Sequence, residues 1–136
     1  MEELTYADES FDVVTSSEVF EHVANDAKGF REVRRVLKPG GAFVFSVPLM
    51  LKKKTVERAI IVDGRVKHLL PPEYHDDTLR GKSKVLAFRN YGYDIVDRLL
   101  EGGFETADIN TSAIPKLGGA GRAIVTARVA TKTSDG

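Results

Sequence analysis

The 136-residue sequence contains no cysteine, which excludes disulfides, thiol nucleophiles and cysteine-bound zinc. It carries no net charge either, because 20 basic and 20 acidic side chains cancel, so no global field draws in nucleic acid or an anionic membrane. No apolar run reaches the roughly 18 residues that cross a bilayer. The opening residues, MEELTYADES, have neither the basic nor the apolar region of a signal peptide. A cytoplasmic, soluble protein with no nucleic acid and no membrane among its partners is the expectation, and Lys52-Lys53-Lys54 reads as a solvated run. What is present suits a single globular domain over 1–136 with a real core: 42% hydrophobic and 29% charged residues.

Phe11-Asp12-Val13-Val14-Thr15 is a short β-prone run after the turn-like Ala7-Asp8-Glu9-Ser10. A helix is expected from about Asn25, a good N-cap residue, with Asp26 at the positive end of the dipole. Ala27, Phe30, Val33 and Leu37 recur at helical spacing and predict one apolar stripe, with Arg31, Arg34, Arg35 and Lys38 on the other side. Pro39-Gly40-Gly41 predicts the helix stop. Ala42 to Val47 is nearly continuously apolar, the pattern of a strand covered on both faces. Residues 1–48 thus read as a βαβ core. Residues 49–90 read as an irregular, substrate-side insertion with turns at Asp63-Gly64 and Pro71-Pro72. Residues 91–130 read as a helix from Tyr93 to the stop at Gly102-Gly103, a strand from Phe104 to Ile114, a turn and a last strand from Arg122. The tail, 131–136, is polar. Gly118-Gly119-Ala120-Gly121 reads as a hairpin connection, because a strand follows where a phosphate loop needs a helix.

Three segments in order carry a resemblance. They are Leu4-Thr5-Tyr6 with Asp8, Ser10, Phe11 and Asp12; Ser17-Glu18-Val19-Phe20-Glu21-His22-Val23; and Arg31-Glu32-Val33-Arg34-Arg35-Val36-Leu37-Lys38-Pro39-Gly40-Gly41. Together with the order of elements behind them, they resemble the second half of a class I S-adenosylmethionine-dependent methyltransferase, over residues 4–48 and 91–130. The resemblance implies an α/β fold: a partial Rossmann-like sheet of about four strands, the last antiparallel, in the order first, second, fourth, third. Right-handed crossovers then put the helices mainly on one face, and Val, Phe and Ile side chains are expected bare on the other. It also implies S-adenosylmethionine as cofactor.

In that family a glycine-rich loop and a carboxylate hold the cofactor ahead of this block, and Met1 stands only three residues before Leu4. Glu2 and Glu3 lie near an acidic position that contacts adenine in the family without aligning cleanly to it. The expectation is therefore a C-terminal methyltransferase portion, incomplete as a cofactor site by itself, acting on a small-molecule or glycan-type acceptor. It would pair as a homodimer or with a separate N-terminal half. The alternative is a non-catalytic interaction module derived from a methyltransferase.

By the same resemblance, Thr15, Ser16 and Ser17 border the cofactor at the carboxyl end of the first strand. Glu18, Glu21 and His22 form an acid, acid, imidazole cluster. Such residues can ligate divalent ions, but a solvated or substrate-facing role is the reading taken here, and no metal is assigned. His22 titrates near neutrality and is a candidate general base. Tyr74 and His75, in Pro71-Pro72-Glu73-Tyr74-His75-Asp76-Asp77, are the candidates for acceptor contact, with Phe88-Arg89 and Tyr91-Gly92 near the same pocket.

Overall fold

The computed structural model describes residues 1–76, 84–110 and 122–132. The first β-prone run becomes β1, Phe11–Ser17, and the apolar run beyond the helix lies in β2, Leu37–Pro48. The two strands run parallel, with Val14 opposite Phe43 and Ser16 opposite Phe45. The crossover helix α1, Asp26–Val36, is capped as its sequence predicts, the Asn25 side chain accepting from the Lys28 N–H at 3.1 Å.

Phe30, Val33 and Val36 form its buried stripe, while Ala27 is exposed and stands outside it. Leu37 is buried too, but as the first residue of β2: its extended backbone ends the helix there. Pro39-Gly40-Gly41 therefore falls inside the strand, where the β1–β2 register shifts and Gly40 takes a φ of 77°.

Residues 49–90 are not structureless. They hold β3 (Val56–Glu57), β4 (Ala59–Val62), β5 (Arg65–His68), β6 (Tyr74–Asp76), β7 (Lys84–Leu86) and β8 (Arg89–Asn90). These pair as three antiparallel ladders, β3 with β8, β4 with β5 and β6 with β7. Strands of two to four residues are too short to write a period of two into a sequence, which is why the segment reads as irregular. Asp63 and Gly64 join β4 to β5 with both φ values positive, as a two-residue hairpin demands.

Helix α2, Ile95–Glu101, leads through Gly102 and Gly103 to β9, Thr106–Asn110, and the chain re-enters the sheet as β10, Arg122–Arg128. The expected strand extends to Ile114, and its last residues, with the Gly118–Gly121 turn, lie outside the described residues. The order is β1-β2-β10-β9, with β10 antiparallel to both its neighbours, as the resemblance implies.

Phe43, Phe45 and Val47 of β2 and Ala123, Val125 and Ala127 of β10 share one core with Phe30 and Val33 of α1 and Ile95 and Leu99 of α2. Both helices therefore cover the same face. Phe20 and Phe30 stack at 4.6 Å in that core and Phe43 and Phe45 at 4.2 Å, each burial worth roughly 1.5–3 kcal/mol. Register partners share a face, so the opposite face presents Val13, Thr15 and Ser17, then Val44 and Ser46, Ile124 and Thr126, and Asp108. The expectation of a bare apolar face is met by Val13, 56% exposed, and Ile124, 38% exposed, but not by phenylalanine. Alternation places both Phe43 and Phe45 on the helix side, and the open face is largely Thr and Ser.

Candidate functional site

The segment just past the carboxyl end of β1 turns sharply. Glu18 takes a φ of 53°, its N–H donates to the Ser46 carbonyl, and a single 3-10 turn follows over Phe20–His22. Arg89 of β8 holds this turn from beneath. Its guanidinium, 2% exposed, donates to the carbonyls of Phe20 (3.0 Å), Val23 (2.6 Å) and Ala24 (2.8 Å) and to Glu57 (3.2 Å).

Beside it, Asp26 accepts from the Tyr91 hydroxyl at 2.8 Å and from Arg98 at 2.7 Å, and Arg98 reaches Glu57 at 2.9 Å. Burial, followed by the Asp26 charge, pushes the Tyr91 phenol well above its ordinary range, so it remains a donor. The sequence placed Phe88-Arg89 and Tyr91-Gly92 beside the acceptor. In the fold, the Arg89 and Tyr91 side chains are occupied in holding the turn.

The turn presents Glu21 and His22 to one side, and the ladder of β6 and β7 brings His75 to meet them. Ligand atoms of Glu21, His22 and His75 all lie within 4.8 Å of one another. Glu21 is only 2% exposed, and neither of its carboxylate oxygens has a hydrogen-bond partner among the described residues. Burial pushes its carboxyl above the ordinary carboxylate value, against the pull of its own backbone N–H and of the two imidazoles.

Each imidazole is fixed by its far nitrogen. His22 Nδ1 lies 2.9 Å from the Leu86 carbonyl, which can only accept, so Nδ1 carries the proton and Nε2 is bare. His75 Nε2 lies 3.1 Å from Glu73 Oε1. The His75 hydrogen bond, then that of Asn90, holds the Glu73 carboxyl below its ordinary range, so it accepts and His75 Nδ1 is left facing inward. The bare nitrogens stand 3.5 Å and 4.0 Å from Glu21 Oε1, longer than hydrogen bonds. The rings themselves meet edge to face at 4.9 Å.

The sequence assigned His75 to an acceptor loop and Glu21 with His22 to a separate cluster, and the fold makes them one site. Two other members were missed. Leu86 contributes a backbone carbonyl, which no side-chain pattern reveals, and Glu73 was quoted without a role. Tyr74, half exposed, alternates away from His75 along β6 and stays outside the cluster. Thr15, Ser16 and Ser17 sit at the carboxyl end of β1. Ser17 Oγ lies 3.3 Å from Ser46 Oγ, and Ser16 Oγ is buried with no partner among the described residues. Glu2 accepts from the Asn25 N–H beside the start of α1.

This geometry, a parallel β1–β2 pair ending in a polar turn with β10 folded back antiparallel, is shared with known proteins. Residues 1–45 match the methyltransferase domain family. The ubiquinone biosynthesis O-methyltransferase of Cereibacter sphaeroides (strain ATCC 17025 / ATH 2.4.3) is 40% identical over 99 residues, 71% of this chain and 40% of that protein. An S-adenosylmethionine-dependent methyltransferase from Mesorhizobium loti superposes over 93% of this chain and 66% of its own, with a TM-score of 0.56 and 25% identity.

The chain belongs with the class I S-adenosylmethionine-dependent methyltransferases.

The same fold occurs in the Burkholderia thailandensis 1,6-didemethyltoxoflavin-N1-methyltransferase, whose structure holds S-adenosylhomocysteine, at a TM-score of 0.56 and 18% identity over 95% of this chain and 48% of that one. S-Adenosylmethionine is the cofactor of the methyltransferase family. The chain spans 40% of the length of the Cereibacter relative. Among the described residues, no helix is long and apolar enough to cross a membrane.

Proposed function

We propose that this chain forms the acceptor-side portion of an S-adenosylmethionine-dependent methyltransferase acting on a small molecule, with the glycine-loop half of the cofactor site supplied by polypeptide outside these 136 residues. The observation that carries this reading is the crevice beyond β1. Hydroxyls of Thr15, Ser16 and Ser17 lie at the strand end, and the Glu21, His22 and His75 cluster follows directly in the turn. The orphaned Ser16 Oγ fits the polar edge of a nucleoside ligand.

S-Adenosylmethionine supplies, when bound, a methyl group to an in-line nucleophile, the electron pair of the broken carbon–sulfur bond returning to sulfur. The residues of this chain have two tasks. The turn orients the acceptor, and His22 Nε2, bare because Nδ1 is committed to Leu86, takes the proton that an acceptor hydroxyl or amine gives up.

Support for a small-molecule acceptor comes from the printed functions of the ubiquinone and toxoflavin relatives. Support for a second half comes from the length comparison and from β1, which ends the sheet among the described residues and exposes Val13.

The test is calorimetric titration of the purified chain with S-adenosylhomocysteine. No heat at high ligand concentration, restored when a glycine-loop segment of a relative is added, is the expected result. Saturable one-to-one binding by the chain alone would refute the shared-site reading.

A further inference from the structure

Three acceptors converge at Glu21 without a donor between them. His22 Nδ1 and His75 Nε2 are committed outward, so each ring turns a lone pair inward, toward a carboxylate that has no hydrogen-bond partner and is 98% shielded from solvent, its exposure being 2%. Acceptors facing acceptors in a low-dielectric pocket repel, and a buried carboxylate without a partner is costly. Something electropositive belongs there. The outer contacts have the form that orients metal ligands: an imidazole N–H on a backbone carbonyl, and another on a carboxylate that is itself hydrogen-bonded by Asn90.

We infer that Glu21 Oε1, His22 Nε2 and His75 Nδ1 form a binding site for one divalent transition-metal ion. Two imidazoles and one carboxylate suit zinc, manganese, iron(II) or cobalt better than calcium or magnesium, which favour oxygen. Metal–ligand bonds of about 2.1 Å bring ligand atoms to roughly 3–3.5 Å of one another. The separations of 3.5 and 4.0 Å and the limit of 4.8 Å thus need a contraction of about 1 Å. His75 can supply it, because it rides on the short β6–β7 ladder and not on the main sheet. Three protein ligands leave positions open to water or to an acceptor oxygen. The inference rests on the cluster alone and stands whether or not the chain binds S-adenosylmethionine.

The experiment is titration of the full 136-residue chain with Co2+ near pH 7, following the visible absorption of the bound ion, with Zn2+ as competitor and circular dichroism as the check on folding. One equivalent of Co2+, displaced by Zn2+, is expected. His75→Ala, on the partly exposed ladder, should leave the fold intact and weaken binding at least about tenfold, and Glu21→Gln should do the same. Glu73→Gln, which only loosens the orientation of His75, should weaken it about 10–100-fold. Folded chain that takes up no Co2+ at millimolar concentration would overturn the inference, as it would if a proton filled the pocket instead. Unchanged affinity in both Glu21→Gln and His75→Ala would place the ion elsewhere and overturn it equally.

Discussion

Replacing Arg89 by methionine keeps most of the volume and removes the charge. Three carbonyls, of Phe20, Val23 and Ala24, then lose their donor, and Asp26 and Glu57 are left to Arg98 and Tyr91. Each stranded buried acceptor costs about 1–3 kcal/mol, but the three lie on one turn that can shift together, so the terms do not add. Removing one partner of a buried charge network costs about 3–5 kcal/mol, and about 4 kcal/mol is the expected loss here. Against a typical domain stability of about 5–15 kcal/mol, that leaves a variant that folds but melts early.

Urea denaturation measures it directly. With a slope of about 2 kcal/mol per M, the midpoint should fall by about 2 M. A midpoint shift under about 0.5 M would refute the view that Arg89 holds the turn. It would also return Arg89 to the list of residues available to an acceptor.

Two further predictions concern α1. Gly29→Ala gains about 1 kcal/mol of helix propensity, but the new Cβ would stand 2.9 Å from Phe20 Cε1, on a ring locked by its stack with Phe30. Overpacking at about 1–3 kcal/mol should win, giving a net loss near 1 kcal/mol in thermal or chemical unfolding, and a stabilised variant would contradict it. The Glu32 carboxyl is held at about 2 by the Arg35 side chain and then the Leu4 N–H, against an ordinary 4.5. A depressed carboxyl stabilises the fold above its unfolded value and loses that contribution as pH falls from about 4.5 toward 2. Arg35 also grips the Leu4 and Tyr6 carbonyls and Asp8. Carboxyl NMR should therefore follow Glu32 to a midpoint near 2, with the amides of residues 4–8 shifting alongside. In Arg35→Ala the midpoint should rise toward 4.5.

The βαβ core was legible because its signals are local: an Asn cap, a helical stripe, an apolar strand. The order β1-β2-β10-β9 came from the family resemblance, and no local signal specifies it. What stayed hidden was set by register and by backbone. Whether Phe43 and Phe45 face the helices depends on one step of alternation. The burial of Ala27 depended on where α1 crosses the sheet, and Leu37 was buried for a reason its spacing did not contain. The site followed the same rule. Glu21 and His22 announced themselves as neighbours, whereas His75 joins them only because two-residue and three-residue strands fold the middle segment back. The Leu86 carbonyl that sets the His22 tautomer has no signature in a side-chain alphabet.

The strand made last does not lie at the edge of the sheet. β10 sits between β2 and β9, pairing Arg128 with Ala42 on one side and with Thr106 on the other. During synthesis the first helix and strand pair can form early, yet the two halves of the sheet have nothing to join them until this segment arrives. Folding must wait for a contact that spans most of the chain, and such contacts form slowly. A premature stop before Arg122 would therefore split the sheet down its middle, leaving two hydrogen-bonding edges open to the wrong neighbours.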